Sequence, residues 1–441
     1  MLGANYLITN NLNLTDSYFL FQGGSMIKYS ALAVLAFSIP AFASVSTSFF
    51  APLDVQTIHK EELKIEKKGE APRFAIPHQI KVAPIQWEEK GETLIWRHRV
   101  SAPNAVSLNF GFSKFKLPRE AKLSIYSVDM KNFIRSFTSA DNNQAQELWT
   151  PVIMSDDVMI ELVVPAKKIS ELSFELSHVG QGFRTFAQKT NKSGDCNIDV
   201  ACTESEGWEK EVNSVAVIST GGSRFCTGFM VNNTANDGTP FFMTAAHCRL
   251  TERTAPSLVT YWNYQTSKCG GDRDGKLTDF QTGATHLASY SKSDMTLLKL
   301  NSAPNPEWNV HFSGWDRSGA DATTAVAIHH PNVDEKSISF EYDPTEVTSY
   351  LGTAVPGDST HVRVVDWDKG TTEPGSSGSP LFDQNHRVIG QLHGGGAACG
   401  NDDSDYYGRI FTSWEGGGTP ATSLKSHLDS AGTGDLFVDT I

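Results

Sequence analysis

The sequence predicts a mainly β protein built from two units, and three observations carry that reading. Short runs that alternate apolar with polar residues recur along most of the 441 residues, which is the period-two signature of half-buried strands. Strong helical periodicity is scarce until PATSLKSHLDS, residues 420–430, near the end of the chain. All six cysteines fall between Cys196 and Cys399, so the chain changes character partway along.

The first unit, residues 44–190, is expected to be a small antiparallel β domain. Its strand candidates are VSLNFGF, AKLSIYSV, DVMIELVV and LSFELSHV, each bounded by turn residues. VGQGFRTFAQKTNKSGD, residues 179–195, loses the alternation and gathers Gly, Lys, Asn and Ser, so it reads as a linker. The second unit, residues 191–441, offers VAVIST, FCTGFMV, FFMTA, MTLLKL, RVIGQLHG and YGRIFTSW as strands. It then closes with a C-terminal helix over PATSLKSHLDS, where Pro420 suits the first turn. A β unit of this length makes a barrel or sandwich pair.

Hydrophobic content of 39% and charged content of 20% are those of a globular protein with a sizeable core. No run reaches the roughly 18 to 20 unbroken apolar residues of a membrane span. Met26-Ile27-Lys28, the apolar ALAVLAFSIPAFA at 31–43 and the small-residue site Ala41-Phe42-Ala43 together form a secretory signal peptide, residues 26–43. Residues 1–25 look unlike a targeting segment, so translation is expected to start at Met26. Secretion to the extracellular space through the periplasm follows, with no membrane attachment after signal cleavage. In that setting six cysteines imply three disulfides, with fifteen connectivities open. No C-x-x-C or H-E-x-x-H spacing occurs, and no metal or cofactor is expected.

Charge divides as the cysteines do. Residues 44–190 carry 19 Lys+Arg against 17 Asp+Glu, whereas residues 191–441 carry 17 against 32. The acidic second unit disfavours a nucleic-acid partner.

PGSSGSPLF, residues 374–382, raises the question of a nucleophile, although Gly, Ser and Pro also make ordinary turns. A serine hydroxyl needs a base, a group to orient that base, and donors for an oxyanion. FFMTAAHC puts His247 directly after an apolar strand and beside Cys248; SKSDMTLLKL puts Asp294 at the head of another. Ser377 then supplies the hydroxyl, and the backbone N–H groups of Gly375 and Ser377 the oxyanion hole. Separately, a strand-end histidine, a strand cap and a serine turn are each ordinary; jointly, in this order and context, they point to nucleophilic catalysis.

T-A-A-H-C resembles the histidine motif of chymotrypsin-like serine proteases, and G-S-S-G-S-P is similar to their G-D-S-G-G-P, with Ser376 and Ser379 at the two altered positions. That resemblance implies a double β-barrel with the triad between the barrels. WNYQ (262–265), VNNTAND (231–237), SGWDR (313–317), AIHHPN (327–332), EPGSSGSP (373–380), GQLHGG (390–395), SDYYGR and IFTSW (404–414) resemble bacterial lysyl endopeptidase over nearly all of residues 191–441. The loop between Cys399 and Asp405 looks shorter than in the best-known member.

The resemblance implies further roles. Asp405 lies at the base of the pocket for the substrate lysine, where a buried carboxylate makes a charge-assisted contact with the ammonium. Trp315 and His393 stack together beside the active site. The cysteines pair as Cys196–Cys399, Cys202–Cys269 and Cys226–Cys248. Residues 44–190 form a propeptide that remains a partner of the protease, and Lys189 and Lys192 are the sites of self-cleavage. Glutamyl-specific relatives share the G-x-S-G-S-P spacing and use a histidine at the pocket wall, but Asp405 would repel a substrate carboxylate. There is no I-V-G-G start, and Ser376 replaces the acid that a new amine would meet. The expectation is a secreted, monomeric serine endopeptidase acting on proteins and peptides after lysine. A protease accepting both lysine and arginine is the alternative within enzymes, and a non-catalytic binding protein on the same fold is the one outside them.

Overall fold

The computed structural model describes residues 45–66, 70–82, 85–184, 186 and 193–441. The segment before Met26, the signal peptide at 26–43, and Lys189 and Lys192 lie outside the described residues.

The first half forms two sheets. In one, the strand Thr93–Ser101 lies between Ser46–Phe49 and Asp157–Pro165, followed by Lys122–Ser127 and Phe133–Phe137. In the other, Ser173–Gly182 lies between Ala75–Gln79 and Leu108–Lys116. Alternating exposure along Asp157–Pro165 confirms period two, with Val158, Ile160, Leu162 and Val164 inward. All pairings here are antiparallel except Ser46–Phe49 with Thr93–Ser101, which is parallel.

Four sequence expectations change. The linker cannot begin at 179, because Ser173–Gly182 is strand to its end. Gly180 and Gly182 serve close approach there: a Cβ on Gly180 would lie 1.9 Å from Asn109 Oδ1. A helix, Val55–Glu66, was not expected; Asp54 receives the Thr57 N–H at 3.2 Å at its start, and Ile58 and Glu62, four apart, turn inward. YGRIFTSW is not one strand: Asp405–Arg409 is followed by the helix Ile410–Glu415, because Ile410 and Trp414, also four apart, both enter the core. The terminal helix is broken into a 3₁₀ turn at Pro420–Thr422 and one turn at Lys425–Leu428, since Ser423 between them is extended.

The second half builds two barrel sheets, antiparallel throughout except where Trp315–Asp316 pairs in parallel with Val388–Gly395. The first has seven strands, ordered Phe280–Thr282, Val259–Tyr261, Val215–Thr220, Arg224–Met230, Phe241–Ala245, Met295–Leu300, Ala284–Tyr290. Its two edge strands are separated in the chain by Gly283 alone, whose φ of 77° turns the corner, so the sheet must curl until its edges meet. The second sheet contains His361–Val364, Pro380–Asp383, Val388–Gly395 and Asp405–Arg409 among its ten strands.

The two halves share one core. Phe186 packs on Tyr261 and Tyr264, with ring centroids 5.4 and 6.0 Å apart, and the Tyr261 hydroxyl accepts the Val152 N–H at 3.1 Å. Disulfides join Cys196–Cys399, Cys202–Cys269 and Cys226–Cys248, as the resemblance implied.

Candidate active site

His247 and Asp294 meet because of strand register. Ala245 pairs with Met295, so the residues just beyond each strand end face one another. The Ala246 N–H donates to Asp294 O at 2.7 Å, the His247 N–H to Asp294 Oδ1 at 2.9 Å, and the ring Nδ1–H to Asp294 Oδ2 at 2.6 Å. Asp294 has φ of 53°, a left-handed conformation that an aspartate tolerates better than most residues. The two oxygens thereby fix both the position and the tautomer of the imidazole.

Ser377 comes from the loop that enters Pro380–Asp383 of the second sheet, and Thr227 of the first sheet donates its N–H to Ser377 O at 2.9 Å. Cys248 Sγ lies 3.9 Å from the same oxygen, so the disulfide to Cys226 borders the Ser377 loop. No hydrogen bond joins Ser377 Oγ to His247; a hydroxyl–imidazole bond at such a site often closes only around a ligand.

The glycines of G-S-S-G are dictated by the turn. Gly375 has φ of 101° and Gly378 φ of 84°. A Cβ on Gly378 would stand 2.3 Å from Thr244 Oγ1 and 2.4 Å from Thr227 O. Within the loop, Ser376, Gly378 and Ser379 donate their N–H groups to Glu373 O, Leu392 O and Ser376 O. The N–H groups of Gly375 and Ser377 have no acceptor among the described residues, so both are free to donate. Ser376, where the chymotrypsin-like motif has an acid, instead hydrogen bonds His329 Nδ1 at 2.8 Å, and burial holds that histidine neutral by lowering its pKa to about 3.

Glu373 ties the start of the second half to this loop. Its carboxylate accepts the Gly194 N–H at 2.7 Å and Asn332 Nδ2 at 2.7 Å, beside the Cys196–Cys399 disulfide.

Ser377, Gly375, His393 and Asp405 line one cavity of about 400 Å³. Asp405 is buried, and burial raises its carboxyl to about 6. Trp367 Nε1 and Thr372 Oγ1 both donate to its Oδ2, at 2.8 and 2.7 Å, leaving Oδ1 without a donor among the described residues.

The expected Trp315–His393 stack is absent. Trp315 is wholly buried, donates its indole N–H to Asn232 O at 2.8 Å and packs on Trp414. Tyr350 covers His393 instead, with ring centroids 3.6 Å apart and planes within 9°. His393 in turn lies over His247 at 5.7 Å, and its Nδ1 meets His361 Nε2 at 3.0 Å. Burial lowers both His361 and His393 to about 4, so they are neutral at ordinary pH. Tyr350, His361, Trp367 and Thr372 escaped the sequence reading because none sits in a motif; only the fold gathers them.

Two curled β sheets with a serine, a histidine and an aspartate at their junction define the chymotrypsin-like class of β-barrel protease folds. Within that class the chain is lysyl endopeptidase-like: residues 190–408 match the family model described as lysyl endopeptidase, C-terminal domain. It is 32% identical over 288 residues to a lysyl endopeptidase of Pseudomonas aeruginosa, an alignment covering 59% of this chain and 60% of that protein. Among solved structures, a Glu endopeptidase in complex with MPD is similar at 17% identity and TM-score 0.33, covering 55% of this chain and 99% of that one. An HtrA-type protease with a tripeptide is similar at 15% identity and TM-score 0.33, covering 47% and 60%.

Proposed function

We propose that this protein is a secreted serine endopeptidase that hydrolyses peptide bonds on the carboxyl side of lysine, made as a precursor whose residues 44–190 are a propeptide. The observation that carries the reading is one cavity holding Ser377 and the buried carboxylate of Asp405, next to a histidine bonded twice by Asp294.

In this reading the substrate lysine enters the cavity and its ammonium meets Asp405 Oδ1. Ser377 Oγ attacks the scissile carbonyl carbon as His247 Nε2 takes the hydroxyl proton, and the carbonyl oxygen, now negative, accepts from Gly375 and Ser377 N–H. Collapse breaks the C–N bond, and His247 returns the proton to the leaving amine, giving an acyl-enzyme. A water then repeats the sequence with His247 as base, releasing the acid and restoring Ser377. Asp294 stabilises the imidazolium formed in each half. The neutral Tyr350–His393 stack shields the His247–Asp294 contact from water, which strengthens it. Self-cleavage after Lys189 or Lys192 separates the halves, which the shared core around Phe186 would hold together after the cut.

The test is the set of peptide ends released from a denatured substrate rich in Lys, Arg and Glu, with Ser377→Ala and Asp405→Ala alongside. Ends confined to lysine, lost in both variants, with Ser377→Ala accumulating as uncut precursor, are expected. Mixed Lys and Arg ends would widen the pocket, and glutamate ends would move specificity to His393. No ends at all would leave a binding protein on a protease fold.

A further inference from the structure

A segment of the first half occupies the rim of the candidate site. Residues 70–74 run antiparallel to the open edge of Arg224–Met230, where the neighbouring strand Phe241–Ala245 pairs only with Phe229 and Met230. The Phe225 N–H donates to Pro72 O at 3.1 Å, the Phe74 N–H to Ser223 O at 2.8 Å, and Arg224 Nη1 to Ala71 O at 2.6 Å. Glu70 and Pro72 line the same cavity as Ser377 and Asp405. A stretch of the first half thus lies at the rim of the site with strand-like hydrogen bonds, as a peptide ligand does when it extends a sheet edge.

The Glu70 carboxylate sits between two arginines, 3.0 Å from Arg249 and 3.5 Å from Arg224. Both are placed by the active-site framework: Arg224 is two residues before Cys226, Arg249 follows Cys248, and the disulfide joins them next to His247. Arg224 is half-buried, and burial, then the charge of Arg249, hold its pKa below the usual range, while Glu70 opposes both. Without Glu70 two like charges face one another, and a carboxylate is the group that relieves them. The pair is also a local exception in a half with 17 basic against 32 acidic residues. Asp405 fixes where the acyl-side lysine goes, so the groups beside the base that protonates the leaving amine face the other product.

We propose that Arg224 and Arg249 form a carboxylate-binding subsite on the leaving-group side, so that the protein prefers an Asp or Glu shortly after the bond it cuts, held in the path that residues 70–74 take here. The proposal rests on the protease reading and names a substrate feature for it. In the precursor Glu70 fills this subsite, and substrate displaces it.

The test uses the full chain, secreted and self-processed, with active sites counted by a fluorophosphonate. Internally quenched peptides with one lysine carry Glu or Gln at each of the three positions before it and after it, and a lysyl nitroanilide, which has no residue on the leaving side, runs in parallel. The Glu peptide should exceed its Gln partner by about threefold to tenfold in kcat/KM at a position after the lysine, shrinking at high salt, as exposed charge pairs do. In Arg224→Gln with Arg249→Gln the ratio should fall to near one; Arg249→Gln alone, whose side chain is more than half exposed, serves if the double variant does not fold. A nitroanilide that is cut without any leaving-side preference for Glu overturns the subsite alone, and means the arginines only clamp residues 70–74. A preference that survives both substitutions overturns the subsite in the same way. A nitroanilide that is not cut overturns the protease reading and the subsite with it.

Discussion

Asp294 grips His247 through both carboxylate oxygens, Oδ1 on the backbone N–H at 2.9 Å and Oδ2 on the ring Nδ1 at 2.6 Å. Replacing it with Asn keeps one acceptor but puts an N–H₂ where the other was, so the backbone bond or the ring tautomer must be given up. Asp294→Asn is expected to fold and to lose about 10⁴-fold in kcat. Steady-state kinetics beside a thermal melt check this; a loss under tenfold would remove Asp294 from the mechanism.

Asp405 trades stability for the pocket charge. Its carboxyl is raised to about 6 by burial, so the folded state binds its proton more tightly than the unfolded chain does. The stability it contributes is complete below the unfolded value near 4 and is lost as pH rises through about 6. Asp405→Asn should therefore be more stable than the parent at pH 8, by of the order of 2 to 3 kcal/mol, with the difference vanishing in acid. Lysine cleavage by the parent should fall as pH drops through about 6, when the pocket loses its charge. Denaturant unfolding at several pH values measures the first, and kcat/KM profiles the second. Equal stability of the two proteins at pH 8 would contradict it.

Gly378→Ala should damage folding and turnover together. The position has φ of 84°, and the added methyl would meet Thr244 Oγ1 at 2.3 Å and the Thr227 carbonyl at 2.4 Å. Strain in the left-handed region alone costs about 1 to 2 kcal/mol, and relieving the clash must shift the backbone next to Ser377. A lower melting temperature with fewer fluorophosphonate-labelled sites is expected; unchanged labelling would mean that the loop adapts freely.

Tyr350 should matter through its ring and not its hydroxyl. Tyr350→Phe preserves the face stacked at 3.6 Å on His393, whereas Tyr350→Ala exposes His393 to water. A stacked aromatic pair contributes about 0.5 to 1.5 kcal/mol, so kcat/KM is expected to fall about threefold to tenfold in the Ala variant and to stay near the parent in Phe. The neutral His393, lowered by burial to about 4, should rise toward its ordinary value in Tyr350→Ala, which an NMR titration reads directly. An unmoved His393 would show that other packing buries it.

The sequence by itself determined what is local. An apolar strand running into T-A-A-H-C fixed where His247 stands, and the run before Met295 placed Asp294 at a strand start. The two glycines of G-S-S-G occupy positions of positive φ that other residues enter only with strain, and the strand pattern of both halves was readable because burial on one face writes a period of two. Where local preference and long-range packing disagree, only the tertiary structure decided. Ile410–Glu415 is helix, not strand, because Ile410 and Trp414 face a core assembled from distant segments. Tyr350, and not Trp315, covers His393, since Trp315 is drawn inside by Asn232 and Trp414. Glu70 reaches Arg249 across 179 positions of chain, a distance over which no spacing in the sequence carries a signal.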